Sequence, residues 1–230
     1  MLRKEVKINV DPRPADINTD GSPADLDTKH LSADFSLPEN PQGLVIFAHG
    51  SGSSRKSPRN SFVADILNKE NIATLLVDLL TIPEDEVYEN RFNIALLSRR
   101  LINITGWTLQ QPGLQLLPVG YFGASTGAAA ALQAAALLDN SIYAVVSRGG
   151  RPDLAGHTLQ KVKAPTLLII GSLDSQVIEL NQKAYRELVC EKKMEIVSGA
   201  SHLFEEPGTL HKAAHLAAGW FHRYLRLSSH

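Results

Sequence analysis

A serine hydroxyl attacks well only where it protrudes from a tight turn beside a base, and Gly123-Ala124-Ser125-Thr126-Gly127 has the composition of such a turn. The apolar run PVGYF precedes it and TGAAAALQAAALL follows, so a strand leads in and an Ala-rich helix leads out. The turn forces strained backbone angles, and glycines two residues before and two after the serine remove side chains that would clash. The helix that follows aims its first N–H groups at developing negative charge. The plain alternative is a capping serine in an ordinary turn, and the flanking strand and helix weigh against it.

A serine so placed needs a base and an acid. On a strand–turn–helix scaffold of this kind they come in the chain order Ser, Asp, His, each beyond a later strand. Asp174 lies in GSLDSQV, just past the apolar run at residues 166–170, and His202 lies in SGASHLFEEPG, just past 194–197. Both addresses are C-terminal strand ends, where ligands bind in open α/β sheets. Asp78 also ends a strand but precedes the serine, and reads as a structural hydrogen-bonding residue. Asp153, in SRGGRPD, comes too early to be preferred. His211 and His215 share a helix face as a potential metal pair, but no carboxylate or third ligand joins them. His30, His157, His222 and His230 read as surface or loop residues. No metal or organic cofactor is required.

The loop His49-Gly50-Ser51-Gly52-Ser53-Ser54 follows the run at residues 44–48, which is where an early backbone N–H completes an oxyanion hole. Ser51 is expected to give one donor and Thr126 the other. No Gly-Lys-Ser/Thr follows, which argues against a Walker-type phosphate cradle. His49 reads as a loop-packing residue. Arg148 and Arg151 flank a Gly-Gly pair at another strand end, and Arg55, Lys56 and Arg59 follow the early loop. Arg148, Arg151 and Arg55 are candidate substrate contacts, since guanidinium forks suit carboxylate or phosphate. The competing reading pairs such arginines with acids like Glu205 and Glu206, locking the loops.

Positioning these residues requires a repeated strand-then-helix pattern, and the chain has one. Strands are expected at 5–10, 30–37, 44–48, 73–78, 119–122, 143–147, 166–170 and 194–197, and helices at 60–70, 92–104, 126–138, 177–189 and 209–225. A Pro-, Asp- and Gly-rich stretch at 11–25 suits an irregular connection between the first two strands. The alternation predicts a mostly parallel sheet covered on both faces. The connection from 147 to 166 is too short for a large lid domain, so residues 1–230 read as a single α/β domain.

The formal net charge is -1, from 23 basic and 24 acidic residues, so no global field attracts nucleic acid or an anionic membrane. The single cysteine, Cys190, excludes an intramolecular disulfide. There is neither a signal-like leader nor an apolar run of about 18 residues. A cytoplasmic location is the expectation, with self-association left open.

HGSGSSRKSPRN, GYFGASTGAAAAL, SRGGRPDLAG and SGASHLFEEPGTL resemble the dienelactone hydrolase-like group of bacterial α/β hydrolases, and most of all a subgroup found alone or joined to phosphoribosyltransferase domains. The resemblance runs from about residue 44 onward. It implies a lidless α/β-hydrolase fold with Ser125, Asp174 and His202 as nucleophile, acid and base. Dienelactone hydrolases themselves use cysteine as nucleophile. Serine here points instead to cleavage of a small carboxylic ester or lactone through an acyl-enzyme. A thioesterase or peptidase would share the triad, and an accessory module beside a phosphoribosyltransferase is the non-catalytic alternative. A dehalogenase would want aspartate at position 125.

Overall fold

Short strands without polar alternation satisfy their side chains only by burial on both faces. In the computed structural model of the chain, which describes residues 1–9 and 30–225, every residue is buried in β3 (Gly43–Ala48), β4 (Ile72–Val77), β5 (Val119–Ala124) and β7 (Thr166–Gly171). With β1 (Leu2–Asn9), β2 (His30–Leu37), β6 (Ile142–Arg148) and β8 (Lys192–Val197) they form one sheet in the order β1-β2-β4-β3-β5-β6-β7-β8. β1 pairs with β2, and β2 with β4, antiparallel, while every pairing from β4 across to β8 is parallel. The connection expected at 11–25, Val10 and His230 lie outside the described residues.

Two layers of helix cover the sheet. On one face α1 (Pro58–Lys69) and α6 (Thr209–Tyr224) bury Val63, Leu67 and Phe221 against Val45, Phe47 and Phe122. On the other, α3 (Ile94–Thr108), α4 (Thr126–Leu138) and α5 (Ser175–Glu187) close over Tyr121 and its neighbours, with Leu101, Leu132 and Ala184 in the core. Ala128, Ala129, Ala130 and Ala131 are wholly buried, so α4 lies close to the strands it crosses.

Some element ends differ from the sequence reading. Helix α1 begins at Pro58 because the Ser57 hydroxyl accepts the Asn60 N–H and proline suits a first turn. Helix α3 begins at Ile94, capped by Asn93, after a 3-10 turn at Tyr88–Phe92. Among the short elements that the sequence reading does not mark are α2 (Ile82–Glu86), closed by a Thr81/Glu84 capping box, and a 3-10 stretch at Pro152–Lys161. That stretch fills the link between β6 and β7, and no large lid domain stands there.

Candidate active site

Ser125 sits between the last residue of β5 and the first of α4, with φ 51° and ψ -124°. A non-glycine residue in that region is strained by about 1–3 kcal/mol and persists only where its surroundings hold it. They do so through its backbone. The Ser125 carbonyl accepts from Ala128 N–H at 3.1 Å and from Arg151 N–H at 3.0 Å. The flanking glycines are sterically required. A Cβ on Gly123 would lie 2.4 Å from Ala128 Cα, and one on Gly127 would lie 2.2 Å from the Ala48 carbonyl oxygen.

Asp174 directly precedes α5, one loop beyond β7, and His202 lies in the loop beyond β8. The two loops are tied together: Ser172 N–H donates to Val197 O, and Leu173 N–H to Ala200 O. The Glu206 carboxylate accepts the Ser201 N–H at 2.9 Å, a bond that holds its carboxyl below the usual range. His202 Nδ1–H donates to Asp174 Oδ2 at 2.6 Å. A neutral imidazole bonded in this way carries its lone pair on Nε2. Ser125 and His202 line the same cleft, of about 350 Å³, together with Ser51, Arg59, Asn60 and Arg148.

The early loop is held by His49. Its Nε2 accepts the Leu79 N–H at 3.1 Å, so Nδ1 carries the proton and donates to Gly50 O at 2.9 Å. Burial lowers the His49 pKa and keeps the ring neutral. Gly50 lies against the nucleophile turn, since a Cβ there would be 2.8 Å from Ser125 Cβ. Ser51 departs from expectation. Its N–H donates to the Thr126 hydroxyl at 2.8 Å, so in this structure it is engaged by the residue after the serine. The Thr126 N–H belongs to the first turn of α4, which has no carbonyl one turn back.

The three candidate substrate arginines separate. Arg55 is committed elsewhere: its side chain meets Glu5 at 2.7 Å, Asp78 at 3.3 Å and Asp34 at 3.6 Å, and it does not line the cleft. Asp78 also accepts the Arg55 N–H, which accounts for it as a structural acid. Arg151 forms a two-pronged pair with Asp153 that raises its pKa, and it too stands outside the cleft lining. Both are held in ion pairs that lock loops, as the competing reading expects, though through acids other than Glu205 and Glu206. Only Arg148 lines the cleft.

His211 and His215 approach to 3.2 Å on the exposed face of α6. Among the described residues no group of three or more His, Cys, Asp or Glu could hold a metal. His30, His157 and His222 do not line the cleft. Asn60 does and was missed, although its place on the apolar stripe of α1, three and four residues before Val63 and Ala64, marked it as a polar residue facing inward.

A sheet of this order, with the residue after β5 held at positive φ, is the α/β-hydrolase architecture. No family model matches the chain. A solved dienelactone hydrolase from Anabaena variabilis is 46% identical to it, with a TM-score of 0.85 over 97% of this chain and 99% of that one. The chain belongs to the dienelactone hydrolase-like family. Est1E from Butyrivibrio proteoclasticus shares the fold at 14% identity, with a TM-score of 0.71 over 84% of this chain and 94% of that one. Two curated Mycobacterium tuberculosis proteins, provisionally named phosphoribosyl transferases, are 56% identical over 191 residues, 83% of this chain. The chain spans 43% of the length of each. No helix among the described residues is long and apolar enough to cross a membrane.

Proposed function

We propose that the chain is a serine hydrolase that cleaves a small carboxylic ester or lactone through an acyl-enzyme on Ser125. The observation that carries this reading is a strained Ser125 sharing a cleft with His202, whose Nδ1–H is fixed on Asp174. His202 Nε2 takes the Ser125 proton as Oγ attacks the carbonyl, and Asp174 stabilises the imidazolium that forms. The oxyanion is held by the Thr126 N–H and by the Ser51 N–H, which leaves the Thr126 hydroxyl as the charge develops. His202 then protonates the leaving alcohol, and water releases the acyl group by the reverse path.

Labelling with a fluorophosphonate, followed by mapping of the modified peptide, tests the reading. Modification confined to Ser125 and absent from Ser125→Ala is the expected result. No labelling of folded protein would overturn it.

A second reading rests on the longer Mycobacterium tuberculosis relatives. In it the chain is an accessory module working beside a phosphoribosyl transferase, and the cleft has no turnover of its own. It predicts a folded chain inert to the fluorophosphonate.

A further inference from the structure

Arg148 is the exceptional cation of this chain. It ends β6 beside the nucleophile turn and is 6% exposed. Among the described residues no carboxylate pairs with it, and its Nε and Nη1 have no hydrogen-bond partner. Two other deeply placed arginines, Arg55 and Arg100, each meet an acid. A buried charge without a counter-charge is costly, and proteins keep one where something else completes it. The Arg148 Cζ lies 5.6 Å from the centre of the Phe204 ring, a contact that supplies no full negative charge.

The surroundings point to the missing group. Arg59 lines the same cleft and is more exposed, its acid Glu205 being 3.5 Å away on the outside. The two guanidinium groups repel, and that repulsion adds to burial in lowering the Arg148 pKa to about 10. Two guanidinium groups, one of them buried without a counter-charge, in a cleft that also holds Ser125 and His202, make a receptor for an oxyanion attached to the scissile ester.

Resting on the reading of Ser125 as nucleophile, we propose that the cleft takes esters carrying an anionic group, a carboxylate or a phosphate. Arg148 receives that group at depth and Arg59 meets it from the rim. Arg55 and Arg151 take no part.

The test compares three aryl esters of matched acyl length: a valerate (neutral), a glutarate hemiester (carboxylate) and a 4-phosphonobutyrate (phosphonate). A site built around buried polar groups strongly disfavours the analogue that leaves them unpaired, so kcat/KM for at least one anionic ester should exceed the neutral one by about ten-fold or more. The faster of the two identifies the group. Arg148→Met should collapse the ratio towards unity and Arg148→Lys should restore part of it, since lysine keeps charge without the fork. Equal rates on all three esters, or a ratio that survives in folded Arg148→Met, would overturn the proposal. Should Arg148→Met fail to fold, Arg59→Ala decides: a reduced ratio supports the site and an unchanged one sinks it.

Binding separates this proposal from the hydrolase reading. Glutarate or inorganic phosphate should raise the Tm of Ser125→Ala protein, and should not raise that of Ser125→Ala/Arg148→Met. A Tm shift without fluorophosphonate labelling would leave the anion site standing and the acyl-enzyme fallen. Labelling without ester preference or Tm shift would do the reverse.

Discussion

The backbone N–H of Ser51 donates to the hydroxyl of Thr126 at 2.8 Å, joining the early loop to the start of α4, 75 residues on in the chain. One expected oxyanion donor thus rests on the side chain of the residue that supplies the other. The bond fixes the early loop over the nucleophile turn, and the proposed mechanism requires that it be exchanged when a tetrahedral oxyanion forms.

Thr126→Val keeps the shape and removes the acceptor. Ser51 is half-buried, so leaving its N–H without a partner costs at most the ~1–3 kcal/mol of a buried donor. For a chain of this size the Tm should fall by about 2–10 °C. The backbone donors remain, so kcat on a small ester should fall less than about ten-fold. A loss of about 100-fold or more, the size seen when an oxyanion donor is removed, would show that the hydroxyl itself holds the oxyanion.

Asp174→Asn tests the bond between Asp174 and His202. An amide at 2.6 Å from Nδ1 can donate to it and so favour the wrong tautomer, with the proton on Nε2. Turnover should drop by about 10³–10⁴-fold with little change in KM, and fluorophosphonate labelling should slow in parallel. A loss under ten-fold would mean that His202 is oriented by something else.

How much of this was legible in the sequence differs from residue to residue. Ser125 was legible because its strain, its strand and its helix are encoded within a few residues, by two glycines and an alanine run. The loops bearing Asp174 and His202 were legible from chain order and strand ends. The short helix α2 carried a readable sign in Thr81 and Glu84, three residues apart, that went unused. The fate of the arginines was not legible. Arg55 finds Glu5 across 50 residues, and Arg151 finds Asp153 two residues away, yet both looked alike as forks near loops. For Arg55 and Arg148 the packing of distant segments decides whether the cation meets an acid. The same holds for Ser51, whose N–H points where the β5–α4 turn puts the Thr126 hydroxyl.

His49 should give the fold an acid-side weakness. Its ring is buried and neutral, with Nε2 accepting from Leu79 and Nδ1–H donating to Gly50, while Asp78 and Asp85 favour the charged form less than burial opposes it. The folded pKa lies below the unfolded value near 6.5, so the unfolded chain binds the extra proton first. Stability from this residue is complete above about pH 6.5 and is lost as the pH falls towards the folded pKa, by up to about 1.4 kcal/mol per pH unit. Denaturant melts of wild type and His49→Asn between pH 7.5 and 5 should show the shallower slope in the variant. Equal slopes would assign the acid sensitivity to other groups.

The last prediction separates packing from strain at the nucleophile turn. A Cβ on Gly127 would lie 2.2 Å from the Ala48 oxygen and 2.5 Å from the His49 oxygen, both backbone atoms with no flexible tip to yield. Gly127→Ala must therefore push α4 away from the loop that carries Ser51. Overpacking of this kind costs about 1–3 kcal/mol, and here it also widens the gap between the N–H groups of Ser51 and Thr126, the proposed oxyanion donors. Gly52 offers the contrast: a Cβ there meets nothing within 4 Å, but its φ is +69°, so Gly52→Ala incurs only backbone strain. Both variants should lower Tm, and Gly127→Ala should in addition lower kcat by about ten-fold or more, since small displacements of positioning groups weigh heavily on rate. If Gly52→Ala loses as much kcat as Gly127→Ala, then loop conformation, and not the close approach of helix and loop, governs the turn.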